Sequence, residues 1–125
     1  MYKRQLRGKY KEKFSYSELA DLITKVSFSF ENYGLKKGDV VTVIAENSPR
    51  WLVADQGLMR LGAINAVRGI NSPSVELEYN IEHSNSVGLI VQSKEIWLRL
   101  NNKEELKKRL KFIICLLYTS PSPRD

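Results

Sequence analysis

A chain of 125 residues, with 20 Lys and Arg against 14 Asp and Glu and a formal charge of +6, has room for one domain and one core and is short for an enzyme with two substrates. No uncharged apolar run is long enough to span a bilayer, and the charged opening lacks the apolar centre of a signal peptide, so a cytoplasmic location is the expectation. The basic residues are spread over turns and helix faces without interleaved aromatics, which argues against a nucleic-acid partner, and a single cysteine excludes an internal disulfide or a cysteine metal cluster.

The two ends read as one DNA element in opposite orientations. Tyr2-Lys3-Arg4-Gln5 can be encoded TAT AAG AGA CAG, and the reverse complement, shifted by one base, gives Cys115, Leu116, Leu117 and the start of Tyr118. The tail then continues as TSPSPRD from Thr119 to Asp125, matching read-through of a transposase adapter used in sequencing libraries. Residues 1–5 and 115–125 are therefore expected to be adapter scars, and residues 6–114 a piece of something longer. A natural Ser/Pro-rich tail is the alternative.

Taken in order, Leu6 to Lys13 is basic and aperiodic, and Phe14 to Tyr16 suits a short strand leading into a helix. Ser15 and Glu18 have capping-box spacing, with Ser17 as a competing cap; Leu19, Leu22, Ile23, Val26, Phe30 and Tyr33 then recur at helical spacing up to a stop at Gly34. Gly34 to Asp39 is a turn. Its two glycines and two lysines do not suit a phosphate, because a phosphate cradle follows a strand and opens a helix, whereas this loop does the reverse.

Val40 to Gly69 organises the chain as a βαβ unit. The apolar run Val40, Val41, Val43, Ile44 and Ala45 suits a parallel strand covered on both faces, and Ser48 followed by Pro49 starts a helix to about Leu61. Leu52, Val53, Ala54, Leu58 and Met59 supply its expected apolar stripe, Gly62 its end, and Ala63 to Val67 a second strand. Beyond a loop, Ser72 or Ser74 can cap a helix carrying Leu77 and Ile81 and ending near Ser84. Val87 to Val91 is a further strand, and Ile96 to Leu110 is one helix or two broken near Asn101-Asn102. Phe112 to Ile114 begins another strand. The pattern predicts an α/β fold with an open parallel sheet flanked by helices.

Chemistry is nearly absent from this pattern. No Walker loop, dinucleotide fingerprint, metal-ligand spacing or nucleophile triad occurs, so no catalytic, cofactor-binding or metal residue is assigned. His83 reads as a helix-terminal or surface residue, and Asp39, Glu46 and Asp55 as isolated acids facing helix ends or solvent.

The wording of several segments goes further. Tyr16, Glu18 and Leu19 at a helix start, the Gly38-Asp39 turn, Asn47-Ser48-Pro49 and the Gly62-Ala63 pair occur in the order found in the AMP-forming acyl-CoA synthetase superfamily, which Phe14 to Ile114 resembles. NSPRWLVADQG followed by GAINAVRG is most similar to the long-chain fatty acid ligases, particularly the acyl-acyl carrier protein synthetases. The resemblance implies an incomplete N-terminal part of the large domain of an adenylate-forming enzyme. It implies ATP and Mg as cofactors of the intact enzyme, a fatty acid and coenzyme A or acyl carrier protein as partners, and room for peripheral membrane association. The family's phosphate loop, nucleotide contacts and mobile-domain lysine all fall beyond Ile114, so the piece alone is expected to be inactive, with an open sheet edge and uncovered apolar faces. A stand-alone flavodoxin-like binding module is the alternative.

Overall fold

The computed structural model describes residues 15–116 and contains four parallel strands in the order β2-β1-β3-β4. In chain order the elements are α1 (Tyr16–Asn32), β1 (Val40–Ile44), α2 (Pro49–Arg60), β2 (Ile64–Arg68), α3 (Ser74–His83), β3 (Gly88–Val91), α4 (Lys94–Arg99), α5 (Lys103–Arg109) and β4 (Phe112–Cys115). This is the expected α/β architecture, with helices on both faces of the sheet.

Period-two alternation divides the core. Val41 and Val43 of β1, Ala45 directly after it, Ile90 of β3 and Phe112 of β4 meet Phe30 of α1 and Ala54 and Leu58 of α2 on one face. On the other, Ile44, Leu89 and Val91 meet Leu77 and Ile81 of α3, Ile96 of α4 and Leu106 of α5. The chain thus runs from β1 through α2 on the first face to β2, then back through α3 on the second face to β3. Opposite directions on opposite faces keep the same crossover hand throughout.

The helix boundaries follow local chemistry. Ser15 wins the first cap: its Oγ accepts the Glu18 N–H at 3.2 Å while the Glu18 carboxylate accepts the Ser15 N–H at 2.8 Å. Ser15 and Tyr16 are therefore cap and helix rather than the end of a strand, and Phe14 lies outside the described residues. Ser48 Oγ accepts the Trp51 N–H at 3.1 Å with Pro49 at the first helical position, and Gly34 and Gly62 take positive φ after α1 and α2.

Three expectations are corrected. The buried residues of α2 are Val53, Ala54, Gly57 and Leu58, whereas Leu52 and Met59 are 39% and 60% exposed. The helix turns this way because Gly57 lets α1 approach so closely that a Cβ there would lie 2.8 Å from Val26 Cγ1, and Ser27 Oγ donates to the Gly57 carbonyl at 3.2 Å. Neither Ser72 nor Ser74 caps α3. Pro73 occupies the cap without a side-chain bond, and Ser74, already helical, donates its hydroxyl to the Arg99 carbonyl at 2.9 Å. Finally, β2 starts at Ile64 and ends at Arg68, one residue later at each end than expected.

The segment from Ile96 to Leu110 is two helices, and the break has a cause in a residue the sequence did not single out. Glu78 of α3, 8% exposed, accepts the backbone N–H of Asn101 and the Asn102 Nδ2 at 2.8 Å, pinning the linker between α4 and α5. Strand β4 extends one residue past Ile114, with Cys115 paired to Val91.

Candidate functional site

Two places among the described residues bear on function, and each is built from a different property of the sheet. The first is the topological switch point, where β1 and β3 lie side by side but their following helices leave for opposite faces. Glu46 and Asn47 follow β1 there, and Gln92 and Ser93 follow β3. Gln92 spans the crevice. Its Oε1 accepts the Glu46 N–H and its own N–H donates to the Ile44 carbonyl, both at 2.8 Å. The side chain thereby ties the ends of the two strands together.

The second is an apolar groove of about 460 Å³ on the face of α1 and α2. Leu22, Val26 and Phe30 form one wall, Val53 another, and Ile90 and Ile114 the floor. At its end Arg50 Nη1 donates to the Leu116 carbonyl at 3.2 Å. Such a lining can exclude water and accept apolar surface; it contains no carboxylate and no imidazole. Cys115 also lines it, and burial pushes its thiol up while Lys94 opposes the shift, which disfavours a thiolate nucleophile.

The residues weighed for chemistry in the sequence are not brought together. Asp39 organises the turn before β1, its Oδ2 accepting the Lys36 N–H at 2.9 Å and lying 3.7 Å from Lys111 Nζ. Lys111 Nζ also donates to the Gly34 carbonyl at 2.8 Å, so the turn from Gly34 to Asp39 is held closed by Asp39 and Lys111 at the amino ends of the strands. Asp55 accepts Asn65 Nδ2 at 2.7 Å, while the Glu46 carboxylate is on the surface at the other end. His83 stacks on Tyr79 at 5.3 Å on the exposed end of α3. Among the described residues no group of three His, Cys, Asp or Glu converges as metal ligands would.

Two polar arrangements escaped the sequence. Glu78 is one. The other is a hydroxyl chain in which buried Thr42 and Ser86 meet at 2.6 Å and Ser84 and Ser86 at 2.7 Å. Both join segments far apart in sequence, so no local spacing could have revealed them. Their bonds satisfy buried polar groups of the scaffold.

With the geometry in place, the comparisons with known proteins carry the identification. The family model described as AMP-binding enzyme matches residues 3–124. A chloroplastic long-chain-fatty-acid acyl-carrier-protein ligase of Arabidopsis thaliana is 36% identical over 104 residues, 83% of this chain and 14% of that protein. A probable chloroplastic acyl-activating enzyme of the same plant is 39% identical over 103 residues, 82% of this chain and again 14% of its own length. The chain thus spans about one seventh of the curated relatives it matches. Among solved structures, an anthranilate CoA ligase bound to anthranoyl-AMP aligns with a TM-score of 0.76 at 20% identity, covering 87% of this chain and 21% of that one. A fatty acyl CoA synthetase of Mycobacterium tuberculosis aligns at 0.73 and 17% identity, over 83% and 21%; at these identities the likeness is one of fold. A four-stranded parallel sheet shared with adenylate-forming enzymes, and a family match over nearly the whole length, place this chain in the AMP-binding enzyme family.

Proposed function

We propose that this chain is the first part of the large domain of a long-chain fatty acid ligase, which joins a fatty acid to AMP at the expense of ATP and passes the acyl group to coenzyme A or acyl carrier protein. The observation that carries the reading is the 36% identity to a relative named as such a ligase. ATP and Mg belong to the intact enzyme. Residues 15–116 do not fit them: the one glycine-lysine turn is closed by Asp39 and Lys111, and it leads into a strand rather than a helix. The chain alone is inactive in this reading, and its role is scaffold.

Residues 1–5 and 115–125 remain, in this reading, adapter sequence. The apolar character of Cys115 lets it close β4, and Leu116 after it donates its N–H to the Val91 carbonyl, whatever DNA encoded them. In the cell the intact ligase works in the cytoplasm, with room for peripheral contact with membranes that hold its fatty acid. No described helix is long and apolar enough to cross a membrane.

Assaying the purified chain for ATP-pyrophosphate exchange with palmitate tests the claim of inactivity. No exchange above a blank is expected; turnover would refute it. A second reading, a stand-alone flavodoxin-like module, draws on the strand order β2-β1-β3-β4, which places a ligand crevice between β1 and β3. Calorimetric titration with FMN discriminates: saturable binding would favour the module, and the Gln92 bridge across that crevice is expected to prevent it.

A further inference from the structure

The balance of charge changes abruptly along the described residues. Residues 15–93 carry six Lys and Arg against nine Asp and Glu, whereas residues 94–111, which span α4, α5 and the approach to β4, carry seven against three. Two of those seven meet acids of other elements: Arg109 lies 3.8 Å from Glu82 and Lys111 3.7 Å from Asp39. Lys107 and Lys108 meet Glu104 and Glu105, each at 3.8 Å with both side chains more than half exposed, and such pairs hold weakly in water.

The corner between α4 and α5 treats its cations differently. Lys103 Nζ donates to the Leu98 and Leu100 carbonyls at 3.1 and 2.6 Å, and Arg99 Nη2 donates to the Ile70 carbonyl at 2.6 Å. A carbonyl fixes a cation in place without cancelling its charge. Lys94, one turn before Leu98 on α4, and Lys107, one turn after Lys103 on α5, extend the row. Leu98 stands among them, 56% exposed. Glu95 and Glu104 interrupt the row, and Glu78 lies beneath the corner, buried and bonded to Asn101 and Asn102. The inward sides of the two helices are Ile96, Leu100, Leu106 and Leu110, so the charged sides face water.

We propose that this corner is the docking surface for an acidic carrier-protein domain that takes the acyl group from the intact ligase. The inference rests on the ligase reading of the chain. An exposed leucine with fixed cations about it suits a protein surface that offers an apolar contact inside an acidic rim. Free coenzyme A is a small ligand and calls for a concave site with convergent polar groups, whereas these side chains lie along two helices. An anionic bilayer repels Glu95 and Glu104; a protein partner of mixed charge accommodates them.

The test is steady-state kinetics of the full-length protein from the source gene with ATP and palmitate, offering holo-acyl carrier protein or coenzyme A as acceptor. Lys94→Glu combined with Lys107→Glu is expected to raise KM for the carrier protein about tenfold or more. The kcat with carrier protein, any turnover with coenzyme A and the rate of ATP-pyrophosphate exchange are expected to stay as in the parent. Lys36→Glu with Lys37→Glu, at the amino ends of the strands, changes total charge equally and is expected to leave every one of these values alone. An unchanged KM for carrier protein in the Lys94→Glu, Lys107→Glu variant would overturn the proposal. So would a parent that acylates coenzyme A but not the carrier protein, an outcome that leaves the ligase reading standing. Co-sedimentation with phosphatidylglycerol vesicles that the double variant loses, with no change in KM for carrier protein, would assign the corner to a membrane instead. A parent without pyrophosphate exchange would refute the ligase reading itself and the inference with it.

Discussion

At the scale of single residues, Gly88 shows how tightly the first face is built. Its register partner is Phe112, and a Cβ on Gly88 would lie 2.3 Å from that ring. Phe30 and Tyr33 stack on the same ring at 5.5 and 5.4 Å, so it cannot tilt away without disturbing α1. Gly88→Ala is expected to lower stability by about 1–3 kcal/mol in chemical denaturation, as overpacking does, and Phe112→Leu in the same chain to recover part of it. Glu78→Ala strips the acceptor from Asn101 and Asn102 and is expected to cost about 1–3 kcal/mol. Neither position was legible beforehand. Ser15 and Ser48, by contrast, were visible because a cap is a local device, with donor and acceptor three residues apart. Glu78 meets groups more than twenty residues away, and a sequence pattern carries no such information.

At the scale of elements, periodicity located most described helices and strands to within a residue or two, left α4 and α5 open as one helix or two, and drew the buried stripe of α2 too wide. Counting apolar residues put Leu52 and Met59 in the stripe with Val53, Ala54 and Leu58, but the close approach of α1 at Gly57 centres the packed face on the last three and leaves the first two exposed. A glycine in a helix weakens the apolar signal at the position that decides the contact. Leu52→Gln and Met59→Gln are accordingly expected to change the stability of this chain by no more than about 0.5 kcal/mol, while Leu58→Ala costs about 2–5 kcal/mol. Thermal melts of the three variants check this ordering. Ser48→Ala should cost about 0.5–2 kcal/mol through loss of the α2 cap.

At the scale of the molecule, the fold is unevenly finished. The interior strands β1 and β3 are buried along most of their length, while β2 is half exposed and the groove beside α1 opens to solvent. Exposed apolar surface of this kind together with open edges promotes association, so the isolated chain is expected to bind a hydrophobic dye and to elute partly as aggregate on size exclusion. A monomeric sample without dye binding would count against an incomplete domain. The candidate site was legible only as an absence of chemical motifs, because the residues here position a sheet, and the chemistry of the family enters through sequence that the resemblance places beyond Ile114.

The central claim is that this chain opens a longer adenylate-forming enzyme, and reading the source gene downstream of the codon for Ile114 tests it most directly. The expected result is an uninterrupted reading frame that departs from the adapter sequence and encodes a Thr/Ser-Gly-rich loop ending in Pro-Lys-Gly. A genomic sequence that encodes Cys115 to Asp125 as they stand and then stops would contradict it.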